Sequence, residues 1–221
     1  LKVASRDLTN LPLLEALAET KIPIILSTGM AGENELNNAL SIINKKHSNI
    51  SILHCTSEYP TKPENVNLNS IVYLMEKYPE YTIGYSDHTV GITAPIAAVA
   101  LGAKIIEKHI TIDRRMKGTD QAGSLGPDGV NRMIRDIRLI EKSMGTKSMF
   151  ISESVLTAKN KLERSIATNR KISANETIKE DDIHLLSPGD GFKWSEKEKV
   201  IGKKAAAEID INEIIYPEMI K

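Results

Sequence analysis

Apolar and polar positions alternate in two rhythms along the first two thirds of the chain. Short, nearly continuous apolar runs bounded by turn residues predict buried strands at 2–5, 23–27, 50–55, 82–85 and 104–109. Between them, "NLPLLEALAET", "ENELNNALSIINKK", "NLNSIVYLMEKY" and "GITAPIAAVALGA" repeat apolar residues at helical spacing, and "GPDGVNRMIRDIRLIEKSMG" follows the last strand. Strand and helix in strict alternation predict an α/β fold whose strands pair in parallel through helical crossovers.

Two architectures accept such units, an open doubly wound sheet and a (β/α)8 barrel. No G-x-G-x-x-G turn follows any strand, which argues against the dinucleotide-binding form of the open sheet. Polar residues instead close every strand: Ser5 and Asp7, Ser27 and Thr28, His54 to Ser57, Ser86 to His88, and His109. A barrel gathers its strand ends into one mouth, where its chemistry resides. A complete barrel takes roughly 250 residues, so the expectation is a partial TIM barrel made of the last five βα units, with the missing strands upstream of Leu1.

The texture changes near residue 146. Residues 146–162 read as a polar linker, and 163–221 as a small, mostly β domain punctuated by Pro188, Gly189 and Gly191. The expected organisation is therefore 1–145 barrel, 146–162 linker and 163–221 second domain.

Composition narrows the partners. Lys+Arg and Asp+Glu number 29 each, so no global basic field exists to recruit nucleic acid or an anionic membrane. No apolar run reaches the roughly 18 residues of a membrane helix. A single cysteine, Cys55, excludes an internal disulfide and points to a reducing, cytoplasmic compartment. With no cationic neighbour in sequence, Cys55 reads as a buried structural thiol. His54, inside an apolar strand, reads as a satisfied interior histidine, and His47 and His184 as surface residues.

His88 and His109 end consecutive predicted strands. Adjacent strands lie about 4.8 Å apart, so the two imidazoles become neighbours able to ligate one divalent ion, with Asp87 available to orient an imidazole. The bland alternative is a pair of unrelated loop residues. Ser5, Ser27, Ser57 and Ser86, with Lys2, place hydroxyls and an ammonium at four strand ends, a donor set suited to an oxyanion, although each serine alone is an ordinary turn former. The loop "KGTDQAGSLGPDG" at 117–129 offers Asp120 and Gln121 to substrate hydroxyls.

Taken in order, "KVASRDLTNLPLLEAL", "PIILSTGM", "LHCTSEYPTKPENVNL", "GYSDHTVGI", "AAVALGAKIIEKHIT" and "KGTDQAGSLGP" resemble the sialic acid synthase (NeuB-type) family. "ERSIATNRKI" through "IGKKAAAEIDINEII" is similar to the antifreeze-like (SAF) domain that ends those enzymes. The resemblance covers essentially the whole chain. It implies a synthase that condenses phosphoenolpyruvate with N-acetylmannosamine, its 6-phosphate or a related 2-acetamido sugar, releasing phosphate. A legionaminic or pseudaminic acid synthase is the alternative with the same mechanism.

By the same resemblance, Lys2, Ser5, Ser27 and Ser86 would hold phosphoenolpyruvate, with Ser57 where many relatives have Asn. His88 and His109 would bind Mn2+ or Mg2+, and Asp7, Tyr59 and Asp120 would face the sugar, Asp7 being counted with the two histidines as catalytic. The implied assembly is a domain-swapped homodimer. Two positions depart from the family pattern: Ser187 stands where an Arg that reaches the acetamido group is often found, and Gln121 where a His is common. The chain alone, without further strands, is expected to be inactive. An ice-binding role for the second domain is disfavoured by the charge in "NETIKEDD" and "KWSEKEK".

Overall fold

The structure is a computed structural model and describes residues 1–221. The chain divides into two compact units, 1–146 and 147–221. No helix is long and apolar enough to cross a membrane.

The first unit is a parallel half-barrel. Strands β1 (Lys2–Val3), β2 (Ile24–Ser27), β3 (Ile50–Cys55), β4 (Thr82–Asp87) and β5 (Ile106–Lys108) pair in sequence order. Helices α1 (Leu11–Glu19), α2 (Glu33–Ile43), α3 (Asn69–Lys77) and α4 (Thr93–Ala100) connect them, and α5 (Pro127–Ser143) follows β5. The central strands are buried along almost their whole length, as both faces of a helix-covered parallel sheet must be. Leu26, Ile52 and Ile83 from the sheet pack with Leu14, Leu36, Ile43 and Ile71 from the helices to form the core.

Local signals set the helix starts. The Asn10 side chain accepts the Leu13 N–H ahead of Pro12, Gly32 N–H is taken by the Glu35 carboxylate, and Pro127 opens α5.

Three strands differ from the sequence expectation by more than one residue. β1 ends at Val3, because Asp7 N–H returns to Ala4 O and closes a 3-10 turn over Ser5–Asp7, pinned by the fully buried Leu8. β4 extends through Ser86 and Asp87, whose side chains find partners inside the fold. β5 is confined to Ile106–Lys108.

The stretch expected as a linker, 146–162, which falls almost entirely in the second unit, is not wholly irregular. Helix α6 (Glu153–Leu162) begins where Ser152 caps the Ser154 N–H, although none of its residues is buried. The small sheet of this unit pairs β6 (Ser165–Thr168) antiparallel to β7 (Ile183–Leu186), and single bridges such as Ile172 to Ile209 close the rest. The core is made of Ile166, Ile172, Ile178, Ile209 and Ile215 with Val200 and Ala205 and contains no fully buried aromatic ring. Trp194, the only tryptophan, stays 41% exposed with the Lys197 ammonium 5.5 Å over its ring.

Buried Asp182 ties this unit together, accepting Arg170 Nε at 2.7 Å and the Lys179 N–H at 2.9 Å. Burial raises its carboxyl pKa, but those two donors outweigh burial and hold it below the ordinary carboxylate range. A depressed folded pKa contributes stability above the unfolded value of about 3.9 and loses it as pH falls through the folded value. Asp182→Asn is expected to cost about 1–3 kcal/mol at neutral pH. The gap to the parent protein should narrow below about pH 4, as read by urea unfolding across pH.

Candidate active site

The C-terminal ends of the five parallel strands open on a cavity of about 350 Å³. Eight of the side chains singled out from the sequence line it: Lys2, Ser5, Ser27, Ser57, Tyr59, Ser86, His88 and His109. Register explains the convergence. Cys55 of β3 pairs with Ser86 of β4, and Ser86 with Glu107 of β5, so three neighbouring strands present one residue each to the same face.

The hydroxyls are held in distinct ways. Ser5 Oγ accepts the Gly29 N–H at 2.9 Å, and Ser86 Oγ donates to Glu107 Oε1 at 2.6 Å. The other oxygen of Glu107 lies 3.4 Å from the Lys2 ammonium, which also donates to Val3 O. Ser27 is almost fully buried, and its Oγ has no hydrogen-bond partner within the protein. A buried hydroxyl left unsatisfied in a cavity wall fits a ligand oxygen as its partner.

His88 and His109 stand with ring centroids 5.2 Å apart and nearly perpendicular. His88 Nδ1 lies 2.8 Å from Thr56 O, which assigns the proton to Nδ1 and leaves the Nε2 lone pair for a ligand. Tyr59 stacks on His109 at 4.4 Å, while its hydroxyl donates to Asp120 O.

The Cys55 thiol, 4.0 Å from His88 Nδ1, raises the His88 pKa against the opposing effect of burial. Conversely, burial pushes the thiol up, and hydrogen bonding to His88, Ser86 and Ser5 together with the charge of His88 more than reverses it. Burial, then the neighbouring His88, lowers His109. Cys55 is thus buried as expected, but it does have a titratable neighbour, the His88 imidazole, brought from just beyond β4 by tertiary structure. His54 is interior and satisfied, with Nε2 2.7 Å from Val66 O.

No third His, Cys, Asp or Glu joins His88 and His109 as a ready ligand set. Two imidazoles with hydroxyls nearby suit a divalent ion that completes its coordination with water and substrate oxygens.

Three expected site residues lie outside the lining. In the 3-10 turn, successive residues rotate by about 120°, so Ser5 and Arg6 face the cavity and Asp7 does not. Asp120 sits at the rim, with Oδ2 3.6 Å from His109 Nδ1. Gln121 folds back over Gly118 and lines a separate hollow with Ile110 and Met116. Asp87 orients neither imidazole: it is fully buried and holds the Tyr85 hydroxyl, the Thr89 N–H and Lys108 Nζ at 2.5 Å.

The description of the NeuB family matches residues 1–149, and that of the SAF domain residues 163–221. The chain belongs to the NeuB family. This NeuB chain is 38% identical to the N,N'-diacetyllegionaminic acid synthase of Campylobacter jejuni, over 97% of its own length and 65% of the relative's. It is 34% identical to human N-acetylneuraminate-9-phosphate synthase, over 99% and 61%. Among solved structures, the N-acetylneuraminic acid (sialic acid) synthetase of Leptospira borgpetersenii superposes with a TM-score of 0.66 at 41% identity, covering 71% of this chain and 55% of that one. The chain therefore spans somewhat less than two thirds of these curated relatives.

Sequence reasoning missed Glu107, Arg6, Met30 and Cys55 as cavity residues. For Glu107 and Cys55 a signal existed, since both share the strand register of Ser86. Arg6 and Met30 sit in turns, where no period predicts direction.

Two substitutions probe this frame. Lys108→Met would leave Asp87 buried and unpaired, and is expected to destabilise the half-barrel by about 3–5 kcal/mol, measured by urea unfolding. At Gly29, an added Cβ would stand 2.4 Å from Ser57 Oγ, 2.8 Å from Cys55 Sγ and 2.9 Å from Ser5 Oγ. Gly29→Ala is therefore expected to cost about 1–3 kcal/mol in the same measurement, whereas an unchanged midpoint would show that these side chains yield freely.

Proposed function

We propose that this chain carries the reacting centre of a synthase that condenses phosphoenolpyruvate with a 2-acetamido sugar, N-acetylmannosamine or its 6-phosphate, giving N-acetylneuraminate or its phosphate and inorganic phosphate. The observation that carries the proposal is the cavity itself, where two imidazoles stand beside an unpartnered buried hydroxyl and the Lys2–Glu107–Ser86 cluster. Family membership supports the same class of reaction.

In this reading, Lys2 and the hydroxyls of Ser5, Ser27, Ser57 and Ser86 hold the anionic groups of phosphoenolpyruvate through charge-assisted and neutral hydrogen bonds. His88, fixed by Thr56 O, and His109, backed by Tyr59, would hold a divalent manganese or magnesium ion. Such an ion, when bound, polarises the sugar's carbonyl oxygen as a Lewis acid. Glu107 keeps the Ser86 hydroxyl and the Lys2 ammonium aimed at one point, so they need little reorganisation as substrate binds. The Tyr59 ring forms an apolar wall over the imidazoles that limits water there. In the overall balance, C3 of the enolpyruvate bonds to the sugar aldehyde carbon, water adds at C2 and phosphate leaves.

A synthase of legionaminic or pseudaminic acid, acting on a diacetamido sugar, is the second reading. It is supported by the 38% identity to the N,N'-diacetyllegionaminic acid synthase of Campylobacter jejuni.

The test follows phosphate release from phosphoenolpyruvate by the full-length gene product with manganese, in parallel with N-acetylmannosamine, its 6-phosphate and 2,4-diacetamido sugars. Release that needs one sugar, and that falls at least about a hundredfold in His88→Ala, is expected. Equal rates for His88→Ala and the parent, or no release with any sugar, would reject the proposal.

A further inference from the structure

The cavity contains two formal cations, and they are placed differently. Lys2 is committed, its ammonium donating to Val3 O and lying 3.4 Å from Glu107. Arg6 is not. Its side chain is 80% exposed, it lines the same cavity, and its one polar contact inside the protein is a loose approach of Nε to Asp7 Oδ2 at 3.6 Å. A guanidinium offers five N–H donors in a rigid fork matched to phosphate and carboxylate oxygens. Here that fork has no hydrogen-bond partner within the chain.

Its backbone is firmly fixed. Arg6 is the middle residue of the 3-10 turn closed by Asp7 N–H to Ala4 O. On one side Ser5 Oγ is held by the Gly29 N–H, and two residues on Leu8 is fully buried in the core. The side chain is thus a guanidinium without a hydrogen bond, only loosely paired with Asp7, on a rigid base beside a cavity in which Lys2 and Glu107 largely offset each other.

We propose that Arg6 is a specificity-determining residue that recognises a phosphate monoester entering this cavity by bidentate hydrogen bonding. The inference deepens the proposed condensation and rests on it for the identity of the ligands. Two sources supply that chemistry: the phosphate of phosphoenolpyruvate, and a phosphate on the acceptor sugar. In either case Arg6 selects for the ester over its dephosphorylated counterpart.

Equilibrium binding distinguishes the sources without requiring turnover. Isothermal titrations of the full-length gene product would use phosphoenolpyruvate, N-acetylmannosamine 6-phosphate and N-acetylmannosamine as separate titrants, with the parent, Arg6→Met and Arg6→Lys. Because Arg6 is exposed, both variants should keep the parental circular dichroism and melting temperature. Arg6→Met is expected to weaken one phosphate ester by about tenfold or more and to leave N-acetylmannosamine unchanged. Arg6→Lys should recover part of the loss, since it restores the charge without the fork. Loss confined to phosphoenolpyruvate assigns Arg6 to the donor substrate, and loss confined to the sugar phosphate assigns it to the acceptor.

Affinities of Arg6→Met within about twofold of the parent for both esters overturn the inference, as does a parent that binds neither. A protein that binds an ester through Arg6 but releases no phosphate with any sugar would sink the condensation and leave the role of Arg6 standing.

Discussion

Lys108 and Asp87 form an ion pair with side chains only 3% and 0% exposed, and the layout of the cavity follows from where that pair sits. They are register partners on β5 and β4. Strand side chains alternate with a period of two, so locking this pair into the interior turns Ser86 and Glu107, one residue earlier, toward the cavity. One residue later, His88 and His109 return to the same side just beyond the strand ends. The sequences "SDH" and "EKH" are thus two copies of one device, with site residues on either side of a buried, paired charge. A lone charge at either central position would carry a desolvation penalty of several kcal/mol, so the pair also discourages a one-residue slip that would turn every neighbouring side chain to the wrong face.

This explains which parts of the structure were legible beforehand. The strands and helices of the half-barrel were legible because buried parallel strands read as continuous apolar runs and their helices keep a 3.6 period. The pairing of His88 with His109 could be anticipated for the same reason, since consecutive strands end side by side. The function of the residue between could not. Asp87 looks like an imidazole partner by adjacency, but alternation points it away, toward Lys108 and Tyr85. The neighbour of buried Cys55 was hidden for a related cause: His88 lies on the next strand's end in sequence, and only register brings its Nδ1 to 4.0 Å from the thiol. Where the chain turns, as at Asp7 and Gln121, no period governs direction, and proximity in sequence to site residues was a poor guide. Helix α6 was missed because it buries nothing, so the amphipathic pattern that marks other helices is weak there.

The cavity also separates two kinds of polar group. Glu107, Lys2 and Ser86 are mutually engaged, which makes them a prearranged surface rather than independent donors. Ser27 and Arg6 are the opposite, one a buried hydroxyl and one an exposed guanidinium, each without a hydrogen-bond partner in the protein. Engaged groups present donors already fixed in direction, and unengaged groups still have their whole hydrogen-bonding capacity to offer a ligand. Gly29 is needed for both, because Ser5, Cys55 and Ser57 all crowd the space where its side chain would stand.

The placement of the one tryptophan has an optical consequence. Trp194 lies in the second unit, partly in water and beneath a lysine ammonium, whereas the half-barrel contains tyrosines but no indole. Light absorbed selectively by indole therefore reports on the second unit alone, while far-ultraviolet ellipticity is dominated by the helices of the first. The two halves of this chain carry separate spectroscopic signatures, so their unfolding can be followed independently in one sample without any added label.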